Sequence, residues 1–254
     1  MEDNIQPQKP TVVIWETISE GWKLVAGGKW PMWAIMVLGA VASFVIQMLM
    51  AFIFRFDPRN PPVFYHYFLI PCISSIVVAP FYAGAVMVGI KRARGEVVTP
   101  STGYQYFNKT ISLMVTMLII AFLANVAMYI MHLPAVVAGV GSQIVWLSLL
   151  ASIISILVYV FLFFSIPLVT DKNLTPWQAL KASFNTIKRA WFRVLVLLVI
   201  MYLFFLIAMI PFLVGALIHP YARMLGIAVL VLALIWLIPL AFYTQGVLYR
   251  KLVD

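Results

Sequence analysis

The sequence has very little charge and almost no cysteine. Only 10% of its 254 residues are charged, whereas 64% are hydrophobic and the mean hydropathy is +1.04. Soluble domains have roughly 45–50% apolar and about 25% charged residues, so this composition excludes a soluble globular protein. Cys72 is the only cysteine, which excludes a disulfide within the chain. The composition predicts an all-α integral membrane protein.

Acidic residues are missing from the long apolar runs. All eight Asp and Glu residues fall in predicted loops, termini or interfacial helices. A proton- or sodium-coupled transporter usually has a carboxylate at mid-membrane, because a charge is costly there and is kept for function. The absence of Asp and Glu from the apolar runs counts against ion-coupled transport. Phosphate-binding loops, nucleophile elbows and zinc-helix motifs are also absent, so we predict no enzymatic activity and no cofactor.

Six apolar intervals are long enough to cross a hydrocarbon core of ~30 Å, which takes ~20 residues. The third and fourth lie within an uncharged stretch, residues 111–170, that as one helix would be ~90 Å long. We therefore place a turn at His132-Leu133-Pro134, with Gly139 and Gly141 behind it. The predicted spans are 33–54, 68–90, 111–131, 144–169, 194–218 and 225–249.

The positive charges predict the orientation. Fourteen of the 17 Lys and Arg residues fall in the N-terminal segment, the second and fourth loops and the C-terminal tail. Short loops rich in Lys and Arg stay on the cytoplasmic side, so both termini are predicted to be cytoplasmic. The net charge of +9 is explained by this orientation and by anionic lipid, and we predict no nucleic-acid partner.

The fourth loop contains an amphipathic helix. Thr175-Pro176-Trp177-Gln178 is typical of a helix start, with Thr as N-cap, Pro at the first position and Gln completing a capping box. Its polar face is basic, which is typical of a helix lying in the headgroup plane; packing of its apolar face on neighbouring spans is the alternative. The predicted apolar stripe is Trp177, Leu180, Phe184, Ile187 and Trp191, with Lys181, Asn185, Lys188 and Arg189 lying off it.

This pattern recurs and predicts three degenerate repeats. Thr99-Pro100 opens the second loop as Thr175-Pro176 opens the fourth, and Pro80, Pro167 and Pro239 occupy comparable places in the even-numbered spans. Each repeat is a cytoplasmic-side amphipathic interfacial helix followed by two spans, at roughly 11–90, 99–169 and 175–249 of a single domain, 1–254. The two other short stripes are Tyr104, Phe107 and Ile111, and Val12, Trp15, Ile18, Trp22 and Val25.

The fourth loop contains Ala179-Leu180-Lys181-Ala182-Ser183-Phe184, followed by Lys188 and Trp191, and the last span contains Pro239 and Phe242-Tyr243. In these residues the chain resembles a family of bacterial six-span proteins, the YciC-like inner-membrane proteins, and the membrane domain of some glycerophosphodiester phosphodiesterases. The likeness covers the whole chain. It implies the fold and a location in the bacterial inner membrane, but no activity.

Three groups of residues are candidate sites. Prolines inside spans can act as hinges, because each frees a backbone carbonyl; the candidates are Pro80, Pro167 and Pro239. Uncharged polar residues at membrane depth can join helices or line a passage; these are Gln47, Asn125, Gln143 and Gln245. The predicted membrane-interface residues are Trp15, Trp22, Trp177, Lys181, Phe184, Lys188, Arg189 and Trp191.

The three histidines, His66, His132 and His219, all fall on the predicted extracytoplasmic side. Three imidazoles suit zinc, and nearby Met residues would suit copper. Their spacing matches no metal motif, so solvated side chains are the favoured interpretation and no metal is assigned.

Two functions fit the sequence. In the first, the protein binds or passes a hydrophobic or amphiphilic molecule or lipid. In the second, it is a membrane scaffold or accessory subunit that organises lipids or partners through its basic interfacial helices. Membrane lipids, anionic at the cytoplasmic face, are the predicted partners in both, with a second copy or another membrane protein as an open alternative.

Overall fold

The computed structural model describes residues 13–53, 68–138 and 145–254. These residues form nine α-helices and one 3₁₀ helix. The 3₁₀ helix, Pro100–Lys109, lies between α3 and α4. The α-helices are α1 (Ile14–Val25), α2 (Lys29–Ile53), α3 (Ile70–Ala93), α4 (Thr110–Ala138), α5 (Val145–Phe161), α6 (Ser165–Asp171), α7 (Pro176–Ile187), α8 (Trp191–Ile218) and α9 (Pro220–Val253).

Within the described residues, six helical segments are long and apolar enough to cross a membrane, with mean hydropathies between 1.9 and 3.0. They are α2, α3, α4, the α5–α6 pair, α8 and α9. This confirms the predicted multi-pass helical membrane protein. The segments overlap the six predicted spans, because the length of an apolar run is fixed by the thickness of the bilayer.

Two boundaries differ from the prediction. Helix α4 continues through Pro134 to Ala138, since a membrane helix tolerates proline where neighbouring groups satisfy the freed carbonyl. The fourth span is interrupted between Phe161 and Ser165. There the Phe164 N–H donates to the Ser183 Oγ at 3.1 Å, and the same hydroxyl donates to the Phe161 carbonyl at 2.9 Å. A side chain from α7 thus satisfies the backbone at the break.

The fifth loop is shorter than predicted. Residues 219–224 were expected to connect the last two spans, but only His219 separates α8 from α9. His219 is the N-cap of α9, and Pro220 occupies the first helical position, where no N–H is needed. Arg223 therefore lies in the first turn of α9 rather than in a loop.

The chain divides into two compact units. The first is built from Met1–Lys29, Gly89–Val98 and Phe192–Asp254, and the second from Trp30–Val88 and Thr99–Trp191. The first unit thus contains α1, α8, α9 and the end of α3, and its members come from distant parts of the sequence.

In the first unit, α1 packs along α9. Gly21 faces Thr244, and a Cβ on Gly21 would lie 3.0 Å from the Thr244 nitrogen, so only glycine allows this approach. The end of α3 crosses α9 in backbone contact at Gly89 and Gly246. Tyr243 and Tyr249 are fully buried in the same region, so the C-terminal half of α9 forms the core of this unit.

In the second unit, the 3₁₀ helix packs on α2 and α3. Gly103 lies against the side chain of Ile35 and against Gly84, and the Tyr104 hydroxyl donates to the Ala34 carbonyl at 3.2 Å. Helices α4 and α5 pack along each other, joined by the Ser155 hydroxyl, which donates to the Ala124 carbonyl at 2.6 Å. Such interhelical bonds are typical of membrane helix packing.

Candidate functional site

The predicted start of the amphipathic helix α7 is confirmed. Thr175 is the N-cap, Pro176 is the first helical residue, and the Thr175 N–H donates to Gln178 Oε1 at 3.2 Å. The 3₁₀ helix starts in the same way after Thr99, whose N–H donates to Thr102 Oγ1 at 3.0 Å. The Thr-Pro pair therefore produces the same capped helix start in both loops.

The predicted apolar stripe of α7 lies in two environments. Leu180 and Ile187 are buried in the protein, whereas Trp177 and Phe184 are 72% and 47% exposed. The buried face consists of Ala179, Leu180, Ser183 and Ile187. Hydrophobic periodicity treats all apolar residues alike, whereas close packing between helices favours small residues and leaves the large aromatic rings outside.

Helix α1 repeats this arrangement position by position. Trp15 and Trp22 are 68% and 51% exposed, while Ile18, Gly21 and Val25 are buried. The same sequence interval separates each residue from its counterpart in α7. The matching pairs are Trp15 and Trp177, Ile18 and Leu180, Gly21 and Ser183, Trp22 and Phe184, and Val25 and Ile187.

All eight predicted membrane-interface residues are exposed on the protein surface. Trp191 is the least exposed of the aromatic ones, at 40%, and its ring lies 6.5 Å from that of Phe161. Exposure leaves these side chains able to meet lipid, and their contact with lipid stays a prediction.

A groove in the first unit lies between α1, α8 and α9; we call it the α1 groove. Its volume is about 840 Å³, and it opens along one side. Ser19 is the one polar residue among its described lining residues. These are Trp15, Ile18, Ser19 and Trp22 from α1, Phe204, Ile207 and Ala208 from α8, and Ala233, Trp236, Leu237 and Leu240 from α9.

Two tryptophans of the groove wall stack on each other, and a lysine lies over one of them. The rings of Trp22 and Trp236 are stacked, with centroids 5.9 Å apart. The Lys29 ammonium lies over the Trp236 ring, 4.0 Å from its centroid. At that distance a cation is attracted to the face of the indole, so Lys29 brings positive charge directly beside the apolar lining.

The N-terminal part of α1 is attached to the end of α9 by charge. Glu20 pairs with Arg250 and also with Lys251, at 3.3 Å, and Lys251 lies 4.0 Å from Glu16. The Arg250 guanidinium also donates to the Ala93 carbonyl of α3. These tail cations were predicted to border the lipid, but they bind partners within the protein.

The C-terminal end of α1 is attached through its carbonyls. Arg92 donates from Nε to the Leu24 carbonyl at 2.9 Å and from its terminal nitrogen to the Ala26 carbonyl at 2.7 Å. The Tyr243 hydroxyl donates to the Gly28 carbonyl at 2.6 Å. A cation at a helix C-terminus is favourable, because it faces the negative end of the helix dipole. The groove wall formed by α1 is therefore fixed at both ends.

The candidate hinge prolines are all buried. Pro80 and Pro239 lie inside the continuous helices α3 and α9, and Pro167 lies in the first turn of α6, just after the interruption of the fourth span. Their role as hinges stays a prediction.

The candidate polar residues occupy different environments. Gln47 is exposed and Gln245 is buried. The Asn125 side chain donates to the Ala121 carbonyl of its own helix at 2.7 Å and also hydrogen-bonds Tyr159 of α5. Gln143 lies outside the described residues. The described members of this group do not gather into one site.

Of the three histidines, only His219 has a described side chain; His66 and the side chain of His132 lie outside the described part of the chain. The His219 Nδ1 accepts from the Tyr221 N–H at 3.3 Å, and its ring stacks on that of Tyr221. In the described residues no three metal-ligating side chains come together. The visible role of His219 is to cap α9.

Comparison with known proteins finds no match to the chain among family models, curated proteins or solved structures. Sequence reasoning found three aromatic and aliphatic lining residues of the α1 groove on α1, but no pattern in the sequence marks the residues that α8 and α9 contribute.

Proposed function

We propose that this protein is a non-enzymatic membrane protein that binds one amphiphilic membrane molecule, a lipid, in the α1 groove. The observation that carries the proposal is the groove itself. Its volume of about 840 Å³ falls within the range of roughly 300–1,000 Å³ that is usual for small-molecule sites.

The lining favours an acyl chain over a polar solute. Apart from Ser19, every described lining residue is apolar, and a polar molecule placed there would lose its hydrogen bonds to water without gaining replacements. The groove is open on one side and is built on two membrane-spanning helices, so a chain can enter from the bilayer without crossing water.

The packing of the short helices supports three degenerate repeats with interfacial helices. Each short helix meets another helix through a small residue: Gly21 of α1 on α9, Gly103 of the 3₁₀ helix on α3, and Ser183 of α7 at the α5–α6 break. The charge distribution supports placing these helices and both termini on the cytoplasmic side of a bacterial inner membrane.

Native mass spectrometry of the full-length protein, released from membranes with its lipids, tests the proposal. We expect the wild type to retain one lipid and the double variant Ala208→Trp/Ala233→Trp to lose it, because two indoles fill the groove. Ala228→Trp is the matched control, since Ala228 is exposed on α9 and does not line the groove. Equal lipid retention by the wild type and the filled variant would reject the proposal.

The scaffold function has one specific observation in its favour, the outward face of α7. Trp177 is 72% exposed there, and Lys181, Lys188 and Arg189 are exposed beside it. Replacing these three cations with Gln should weaken binding of liposomes rich in anionic lipid to the detergent-purified protein, more strongly at low salt. Unchanged binding of liposomes would contradict the scaffold function.

A further inference from the structure

We infer that the α1 groove selects an anionic lipid, and that Lys23 and Lys29 bind its headgroup. This inference rests on the proposed function and names the class of ligand. Headgroup chemistry has to decide the selection, because lipid tails in the bilayer are as apolar as the groove. Moving an acyl chain from one to the other changes its free energy little, and any lipid offers a similar chain.

The headgroup-binding end of the groove is the end where α1 finishes. Lys29 lies over Trp236, which stacks on Trp22, and Lys23 follows Trp22 with an exposed side chain. Indole rings and lysines meet in this way at the boundary between hydrocarbon and headgroups, where the ring is amphipathic and the ammonium reaches water.

The position of Trp236 along α9 agrees with that depth. It lies roughly 24 Å from Pro220 at ~1.5 Å per residue, in the part of α9 that continues to Arg250 and Lys251. Lys29, which lies over its ring, is also the first residue of the apolar segment Lys29–Met50. A headgroup beside Lys29 therefore lies at the membrane surface while its chains occupy the groove.

The chain turn after α1 places Lys29 over the indole. Gly27 has φ +77°, in the left-handed region that favours glycine, and the Gly28 carbonyl is held by Tyr243. The turn brings the first residue of α2 back toward the groove. Arg92, bound to the carbonyls of Leu24 and Ala26, adds a further positive charge next to the turn.

The acidic residues of α1 are already paired with cations. Glu16 and Glu20 face Arg250 and Lys251 at the end of α9, so their charge is matched there. The residues around the turn at Gly27 are basic, and this charge complements a phosphate group carrying a net negative charge. A zwitterionic headgroup would bring its own cation into the same cluster and lose part of the attraction.

The test offers the full-length protein an equimolar mixture of phosphatidylglycerol and phosphatidylethanolamine vesicles with identical acyl chains. The ratio of the two retained lipids is then measured by native mass spectrometry. We expect the wild type to be enriched in phosphatidylglycerol. Each Lys→Gln change at Lys23 or Lys29 should lower this enrichment by roughly fivefold, since one basic residue near an anionic surface contributes about 1 kcal/mol.

Controls separate charge from structure. Lys29→Arg retains the cation over the indole and should keep the preference, and Lys23→Gln alters an exposed side chain without touching the core. The double variant Lys181→Gln/Lys188→Gln removes two exposed cations from α7 and should leave the ratio unchanged. The preference should also decline as salt is raised.

The outcomes are distinct. If the wild type retains both lipids equally while Ala208→Trp/Ala233→Trp releases both, the groove does not select an anionic headgroup, but the proposed function is retained. If Lys23→Gln and Lys29→Gln keep the wild-type ratio, these lysines do not bind the headgroup. If the filled variant retains lipid as the wild type does, the proposed function is wrong and this inference with it.

Discussion

Helices α1 and α7 share a pattern of buried and exposed positions but differ in their charged residues. Glu20 of α1 matches Ala182 of α7, and Ser19, which lines the groove, matches Lys181. Helix α1 therefore turns its acidic residues toward cations of its own unit, and its exposed Trp side faces a cavity. Helix α7 has cations at its surface instead. The same pattern of buried and exposed positions therefore borders a groove in α1 and carries an exposed basic face in α7, with differences at only a few polar positions.

The largest expected loss of stability comes from placing a side chain at Gly21, where α1 lies against the backbone of α9. Gly21→Val places a side chain against the backbone of Thr244, and overpacking of this kind costs typically 1–3 kcal/mol. Thermal unfolding followed by tryptophan fluorescence should show reduced stability together with loss of the bound lipid. Ala228→Val, at an exposed position of α9 outside the groove, should leave the unfolding temperature nearly unchanged. Equal stabilities of these two variants would contradict the α1–α9 contact.

At the matching position of α7, removal of a hydroxyl is the damaging change. Ser183→Ala leaves the Phe164 N–H and the Phe161 carbonyl without their partner, which costs about 1–3 kcal/mol for buried groups. The same unfolding measurement should report this loss while the lipid in the α1 groove is retained. Asn185→Ala, an exposed neighbour, is the control. A loss of groove lipid in Ser183→Ala would show that the two helices are not independent.

Exchanging the residues at one matched position, Ser19 of α1 and Lys181 of α7, tests whether lipid retention depends on an uncharged residue at this place in α1. Ser19→Lys introduces the residue that α7 has at this place, and it should reduce lipid retention several-fold, because a cation in an apolar lining must extend toward water and displace the chain. The reverse change, Lys181→Ser, should leave lipid retention at the wild-type level. Native mass spectrometry of both variants gives the comparison directly, and equal retention would contradict the assignment of Ser19 to the lining.

The smallest expected effect belongs to the charge pairs of α1. Glu20→Gln weakens contacts to Arg250 and Lys251, but all three side chains are partly exposed, so the loss should be at most about 1 kcal/mol. The variant should also make stability less sensitive to salt than it is in the wild type. Glu96→Gln, at another exposed carboxylate, controls for net charge. An unchanged salt dependence in Glu20→Gln would show that these pairs contribute nothing measurable.

The sequence was sufficient to predict the membrane class, the six spans, the capped start of α7 and the Thr-Pro start of the second loop. These features depend on local properties: the length of an uncharged run, and a Thr-Pro pair, followed in α7 by Gln178. The interruption after Phe161 could not be predicted, because its stabilising group is Ser183, from another helix. Nothing in the residues 162–164 themselves signals a helix end.

The α1 groove could not be predicted from the sequence for a related reason. Trp15, Ile18 and Trp22 of the predicted α1 stripe do line the groove, but Val25 of that stripe is buried and is not among the lining residues. Ser19, which the stripe omitted, is one of them. The remaining lining comes from α8 and α9, far along the chain. In a segment that is apolar on all sides, periodicity does not distinguish residues facing lipid from residues facing a cavity.

The pairing of Glu20 with Arg250 also sets an order of events during synthesis. These residues are 230 positions apart, which at 5–20 residues per second corresponds to roughly 10–50 s on the ribosome. The second unit, whose members lie between Trp30 and Trp191, has its whole sequence available well before that time. Helix α1 is thus synthesised well before the cations with which it pairs, and the α1 groove is completed only after α9 has been made.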